Sequence, residues 1–167
     1  MKKYLWLVAF VAVALTVYVQ VVSFTPDVVT IEKIVKDAGI ENPESLVGEA
    51  TTATLTYSIR TLLDKPGGYQ SNDLLVKVNL YDNMPNWEKG VVFQARDLAR
   101  SLRDDMSRSQ SQSTEDKDLK EGAPKLGYDN DAWNPMASTE SRYSEATEYF
   151  DRYQARLVDE RDQNTQF

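Results

Sequence analysis

The chain has 167 residues, 41% of them aliphatic or aromatic, and carries 19 Lys and Arg against 26 Asp and Glu for a formal net charge of −7. It contains neither Cys nor His, which removes thiol nucleophiles, disulfides, imidazole-based triads, His-ligated haem and the usual zinc sites. With Lys2 and Lys3 set aside the remainder carries −9, a surface that repels nucleic-acid phosphates and anionic lipid headgroups.

Residues Tyr4 to Phe24 form an uncharged run in which only Thr16, Gln20 and Ser23 are clearly polar. At ~1.5 Å per helical residue this run spans a hydrocarbon core of roughly 30 Å. Lys2 and Lys3 precede it, and Asp27 and Glu32 follow it ahead of the next Lys. The positive-inside rule then places the N-terminus in the cytoplasm and the rest in the periplasm of a bacterial inner membrane. Tyr4 and Trp6 suit an interfacial aromatic belt, and Phe10, Leu15 and Phe24 continue the anchor, so the bilayer is an expected partner through residues 4–24. A cleaved signal peptide is the competing reading, with Val21 and Ser23 as small residues at a cleavage site. Its apolar core would be ~7–15 residues, shorter than this run, which favours a retained anchor over residues 1–25. A chain without Cys also suits an oxidising compartment.

Residues 26–48 read as a juxtamembrane helix and linker. The helix is predicted over Pro26 to Ala38, with Thr25 as its cap and Gly39 past its end; Val28, Ile31, Val35 and Ala38 share one face. A helical domain is expected over 49–167. In its first helix, which starts no earlier than Pro43, Leu55, Ile59, Leu62 and Leu63 recur at helical spacing, and Lys65-Pro66-Gly67-Gly68 ends the element. Ala53 to Ile59 also alternates with the period of a half-buried strand, but the helical stripe persists through Leu63. Leu74 to Tyr81 alternates as a short strand with no identifiable partner.

The clearest helix is predicted over Asn86 to Arg108, with Trp87, Val91, Ala95, Leu98, Leu102 and Met106 as its apolar stripe. Gly90 inside it costs up to ~1 kcal/mol relative to Ala, which predicts another backbone passing close by. Ser109 to Ser138 reads as a long polar loop pinned to the helices by Tyr128 and Trp133. The last helix spans Ser138 to Asp162, where Tyr143, Ala146, Phe150, Tyr153 and Leu157 follow the 3-4-3-4 spacing of a helical hairpin or coiled coil. The fold class is therefore mainly α: one N-terminal transmembrane helix and a small periplasmic helical hairpin or bundle with long loops. Three helices make a thin core, which predicts that partners or further C-terminal residues complete it.

No motif carries strong chemistry. Asp64 to Tyr69 is Gly-rich but lacks the Gly-Lys-Ser/Thr of a phosphate loop. Glu115-Asp116-Lys117-Asp118 and Asp129-Asn130-Asp131 offer carboxylates to Ca²⁺ but lack the Gly and terminal Glu of an EF-hand. Glu88, beside Trp87, would suit a general acid if buried, yet Glu is also favoured in a first helical turn by the macrodipole. The Ser/Gln run from Ser107 to Thr114 suits either a frayed helix end or contacts to a glycan or another chain. No catalytic residue, cofactor site or metal site is assigned.

Three stretches are distinctive: Thr61-Leu62-Leu63-Asp64-Lys65-Pro66-Gly67-Gly68-Tyr69 with Ser71-Asn72-Asp73; Asp82-Asn83-Met84-Pro85-Asn86-Trp87-Glu88; and Ser107 to Asp116. With Asp129-Asn130-Asp131 and Ser138-Thr139-Glu140-Ser141, they make residues Thr51 to Phe167 resemble domain-of-unknown-function family 2333. The resemblance implies a bacterial protein with one N-terminal membrane segment, a helical remainder and no assigned activity, and it supplies no catalytic residues. It also implies a longer chain, of which this one would be an N-terminal portion, and more residues before the membrane segment than are present here.

The expected function is a non-enzymatic accessory or scaffold subunit of an inner-membrane or envelope complex, working through helical contacts in the periplasm. Trp87, Val91, Leu98, Leu102, Tyr143, Phe150, Tyr153 and Leu157 are the candidate protein-contact residues. Other membrane or periplasmic subunits are the expected partners; a homo-oligomer also fits, and nucleic acid does not. The alternative is a peptidoglycan-binding or weakly hydrolytic cell-wall module, suggested by nine Tyr and a periplasmic location.

Overall fold

The computed structural model describes residues 2–40, 48–71, 83–107, 115–128 and 138–158. Among the described residues there are six α-helices and no strand: α1 Lys2–Val22, α2 Ile31–Asp37, α3 Glu49–Asp64, α4 Met84–Ser101, α5 Lys117–Lys125 and α6 Thr139–Val158. The strand expected over Leu74 to Tyr81 and the pin expected at Trp133 lie outside the described residues.

Within α1, Lys3–Val22 is long and apolar enough to cross a membrane. The side chains from residue 3 to residue 18, including Tyr4, Trp6, Phe10 and Leu15, are exposed, as is Phe24 just beyond. Only at Val22 does the helix bury a side chain.

The second helix starts later than the sequence suggests. Its cap is Thr30, whose hydroxyl accepts a hydrogen bond from the Lys33 amide at 3.4 Å, while residues 24–30 are not helical. The β-branched Val28-Val29-Thr30 run favours extended backbone, and Thr30 takes the capping role expected of Thr25, five residues further on. Gly39 ends the helix as expected, at φ 72°. Ile34 and Val35 are buried and pack with Ile40 and with Ala53 of α3, whereas Val28 and Ile31 are exposed.

In α3 the hydroxyls of Thr52, Thr54, Ser58 and Thr61 donate back to carbonyls one turn earlier at 2.7–2.9 Å. Of the polar residues that mimic strand alternation, Thr54 and Ser58 thus satisfy themselves within the helix, whereas the Thr56 hydroxyl does not. The apolar face of Leu55, Ile59 and Leu62 goes to the core. Extended backbone at Lys65, then left-handed Gly67 and Gly68, turns the chain out.

The buried face of α4 is Met84, Glu88, Val92, Ala95 and Ala99, continued by Leu102. This line is turned by about one residue from the predicted stripe: Trp87, Val91 and Leu98 flank the core, half-buried, and Met106 is exposed. Hydrophobicity misplaced the face because one of its inward positions is a glutamate. The helix closes in a π-helical turn over Leu102–Met106, where the Ser107 amide reaches the Leu102 carbonyl at 2.9 Å.

Helix α5 lies inside the segment expected to be a long loop. Asp116 caps it, accepting from the amides of Asp118 and Leu119 at 2.9 and 3.1 Å. Gly122 and Pro124 read as breakers, yet both sit within the helix. A Cβ on Gly122 would stand 2.8 Å from the Tyr149 Cβ, so this glycine allows α5 to press against α6. Tyr128, after α5, lies beside α6 with the Arg142 guanidinium 5.7 Å from its ring centre.

Helix α6 begins at Thr139, where the Ser138 hydroxyl accepts from the Ser141 amide at 3.1 Å. Its Tyr143, Ala146, Phe150 and Tyr153 are fully buried. α3 packs on α4, α4 on α5, α5 on α6 and α6 on α3, so four helices close a ring around one core. The core is therefore a four-helix one, thicker than three helices would make it.

Candidate functional site

Two features stand out: a buried polar centre that ties α1 to the helical domain, and an open groove between α3 and α4. The polar centre is built from the turn after α3. Gly67 and Gly68 fold it back, which aims the amides of Gln70 and Ser71 at α4. Glu88 has no exposure and receives the Gln70 amide at 3.0 and 3.1 Å, the Ser71 amide at 2.8 Å and the Ser71 hydroxyl at 2.6 Å. Lys65, itself buried, brings its ammonium to 2.8 Å and also donates to the Gly68 carbonyl. Both Glu88 oxygens are thus engaged by the protein. Glu88 is not a first-turn residue of α4 either: its position satisfies the turn's amides in place of water, as a buried carboxylate requires.

The same turn grips the end of α1. The Gln70 side-chain amide donates to the Val22 carbonyl at 2.7 Å and to the Pro66 carbonyl at 3.3 Å. At Gly67, φ +85°, a Cβ would fall 2.5 Å from Gln70 Nε2 and 3.0 Å from Val22 Cγ1. Lys65, Gly67, Gln70, Ser71 and Glu88 therefore form one unit that joins the turn after α3 to α4 and, through Gln70 and Gly67, meets the end of α1 at Val22. Tyr69 continues it into the core, packing edge-on to Tyr143 with ring centres 5.4 Å apart. Burial, then the neighbouring Tyr143 phenol, pushes the Tyr69 hydroxyl well above the ordinary tyrosine range.

The groove lies on the other side of α4, about 900 Å³ in volume, with Leu55 and Ser58 of α3 facing Trp87, Val91 and Leu98 of α4. Gly90 sits on its rim with nothing within 4 Å of where its Cβ would be. The close backbone predicted at Gly90 is absent among the described residues; the glycine opens the groove instead.

The candidate contact residues thus separate into two groups. Leu102, Tyr143, Phe150 and Tyr153 are wholly enclosed by this chain's own core, with Leu157 packed against it. Trp87, Val91 and Leu98 remain half-exposed along the groove. Asp116 and Asp118, weighed as Ca²⁺ ligands, are occupied by arginines of α6. Arg156 reaches Asp116 at 2.8 Å and Asp118 at 2.6 Å, and Arg152 reaches Asp118 at 3.1 Å. Burial alone would lower the Arg156 guanidinium, but the two aspartates outweigh it and hold it above its ordinary value. Asp129-Asn130-Asp131 and residues 108–114 of the Ser/Gln run lie outside the described residues.

The family model of DUF2333, an uncharacterized protein conserved in bacteria, matches residues 1–167. The chain belongs to this family. The match takes in the N-terminal helix and the juxtamembrane segment as well as Thr51 to Phe167, so the chain's likeness to DUF2333 is wider than the distinctive stretches indicate. No curated protein and no solved structure matches the chain. In this DUF2333 member the stretch from Lys65 to Ser71 builds the Glu88 centre and the α1 contact. Sequence reasoning placed Lys65 to Gly68 as a helix-ending turn and missed its partner, because nothing in spacing marks Glu88 as inward-facing.

Proposed function

We propose that this DUF2333 protein is a single-pass inner-membrane protein with its N-terminus in the cytoplasm and its helical domain in the periplasm, serving as a non-enzymatic accessory or scaffold subunit of an envelope complex. The anchor rests on α1, whose flanks are exposed apolar side chains that only a bilayer or other apolar partner would cover. The orientation rests on Lys2 and Lys3 before it and Asp27 and Glu32 after it.

The observation that carries the protein-contact role is the α3–α4 groove. Trp87, Val91 and Leu98 line a channel of about 900 Å³, and its rim is kept open at Gly90. Such a channel fits the apolar face of a partner helix. The Glu88 centre supports the same reading: it joins α4, one wall of the groove, to the turn that meets the end of α1 at Val22, which keeps the groove on the membrane-proximal side of the domain. The cell-wall alternative draws less support, because Tyr69, Tyr143 and Tyr153 are enclosed in the core and both oxygens of Glu88 are bonded within the chain.

Purification of the tagged chain from its native membrane in mild detergent, with sizing of the product, tests the subunit role. A stoichiometric membrane partner is expected; a lone, stable monomer contradicts it. Because the chain has no Cys, a single engineered one at Ser141 reports topology. Labelling of intact cells by a maleimide that crosses only the outer membrane is expected, and labelling only after lysis would reverse the orientation.

A further inference from the structure

A second cavity, separate from the groove, lies where α2, α3 and α6 meet, a cleft of about 730 Å³. It falls within the range of small-molecule sites. Asp37 of α2, Glu49, Thr56 and Arg60 of α3, and Asp151 and Gln154 of α6 supply its polar lining. Arg60 is tied to Asp151, which leaves the carboxylates of Asp37 and Glu49 without a cation from this lining.

Two buried polar atoms of that lining have no hydrogen-bond partner: Glu49 Oε2 and Thr56 Oγ1. Glu49 is 6% exposed and Thr56 3%. An unpaired carboxylate oxygen held away from water costs about 1–3 kcal/mol or more, and neither atom is needed to complete the core described above. Gln154 bonds the Glu49 side chain, and burial pushes its carboxyl above the ordinary carboxylate value. The orphaned Glu49 oxygen accepts and so calls for a donor, and the Thr56 hydroxyl is able to accept as well as donate.

The surrounding field favours a cation. Three carboxylates face one guanidinium in the lining. Asp37 with Ala38, and Gln154 with Ala155, stand at the C-terminal ends of α2 and α6, where the helix dipole is negative; only Glu49 stands at a helix N-terminus, that of α3. Among the described residues no group of three or more acidic side chains is placed to hold a metal ion. The rest of the lining is apolar or aromatic, with Ile34, Ala53 and Tyr57.

We propose that this cleft binds an organic cation, a primary ammonium group on a short apolar stem, with the Glu49 carboxylate as its counter-charge and, two turns further along α3, the Thr56 hydroxyl as an acceptor for a second amine where the stem carries one. The stem lies along Ala53 and Tyr57. This site goes beyond the scaffold role and stands or falls independently of the anchor and the groove.

The test is calorimetric titration of the full chain in detergent micelles with 1,5-diaminopentane and n-butylammonium, and with n-butanol as the uncharged match. Saturable binding of the amines and none of n-butanol is expected. Glu49→Gln should weaken it by about tenfold or more, and Thr56→Val should weaken it less. Circular dichroism checks that both variants keep their helices, and Glu49→Gln removes a buried charge without changing shape. Absence of saturable amine binding, equal binding of n-butanol, or full affinity in folded Glu49→Gln would each overturn the proposal.

Discussion

The Lys65 ammonium stands 2.8 Å from the Glu88 carboxylate, and both side chains are withdrawn from water. The pair is unequal in its other duties. Glu88 also accepts two backbone amides and the Ser71 hydroxyl, whereas Lys65 donates otherwise only to the Gly68 carbonyl among the described bonds. Breaking a buried pair by removing one partner costs about 3–5 kcal/mol, and each buried amide left unpaired adds about 1–3 kcal/mol. Glu88→Leu is therefore expected to destabilise more than Lys65→Met, the former beyond ~5 kcal/mol and the latter near ~3 kcal/mol. Urea unfolding followed by circular dichroism gives the order, and a larger loss in Lys65→Met would contradict this account of the centre.

Gly67 tests the coupling between the centre and the membrane-type helix. Ala at this position would need a left-handed φ and would press its Cβ against Gln70 Nε2 and Val22. About 1–3 kcal/mol of strain is expected, relieved by releasing the α1 end rather than by unfolding the core. Spin labels on engineered cysteines at Val13 and Arg100 should show a broader distance distribution in Gly67→Ala than in the parent. An unchanged distribution would mean that Gly67 does not hold α1.

Two other glycines predict opposite signs. At Gly90 nothing stands within 4 Å of a new Cβ, so Gly90→Ala gains helix propensity and should stabilise by about 1 kcal/mol. At Gly122 the new Cβ meets Tyr149 at 2.8 Å and Phe150 at 3.2 Å, and Gly122→Ala should destabilise by about 1–3 kcal/mol. Thermal unfolding of the two variants, run side by side, checks both.

Glu49 gives a pH signature. Burial raises its carboxyl above the ordinary 4.5, so the folded state holds this proton more tightly than the unfolded chain does. Its contribution to stability is greatest below the ordinary value and declines as pH rises from there through the raised folded value. Glu49→Gln abolishes that decline. The variant is expected to gain stability over the parent at pH 7 relative to pH 4, in matched urea titrations without added amine. A gain that is the same at both pH values would show that Glu49 does not titrate as its burial requires.

The long periodic elements were legible in the sequence: the apolar run of α1, the stripe of α6 and the Lys65-to-Gly68 stop all stand where spacing puts them. Three things were not. The face of α4 was misread because Glu88 is stabilised by backbone amides contributed by a distant turn, and periodicity counts a carboxylate as outward. α5 was missed because Gly122 serves close packing against Tyr149 rather than a turn, and because its cap, Asp116, looked like one more residue of an acidic loop. The Glu49 cleft depends on α2, α3 and α6 meeting, a juxtaposition that no local pattern records.

The central claim is that the α3–α4 groove is a docking surface for another envelope protein. A photoreactive phenylalanine analogue placed at Gln94, on the groove's exposed wall, and irradiated in living cells tests it directly, with Gly90→Leu in the same chain to fill the channel. The account predicts one discrete adduct with a membrane or periplasmic protein, lost in Gly90→Leu while the folded chain remains at its normal level. Irradiation that yields no adduct, or an adduct that Gly90→Leu leaves intact, would contradict it.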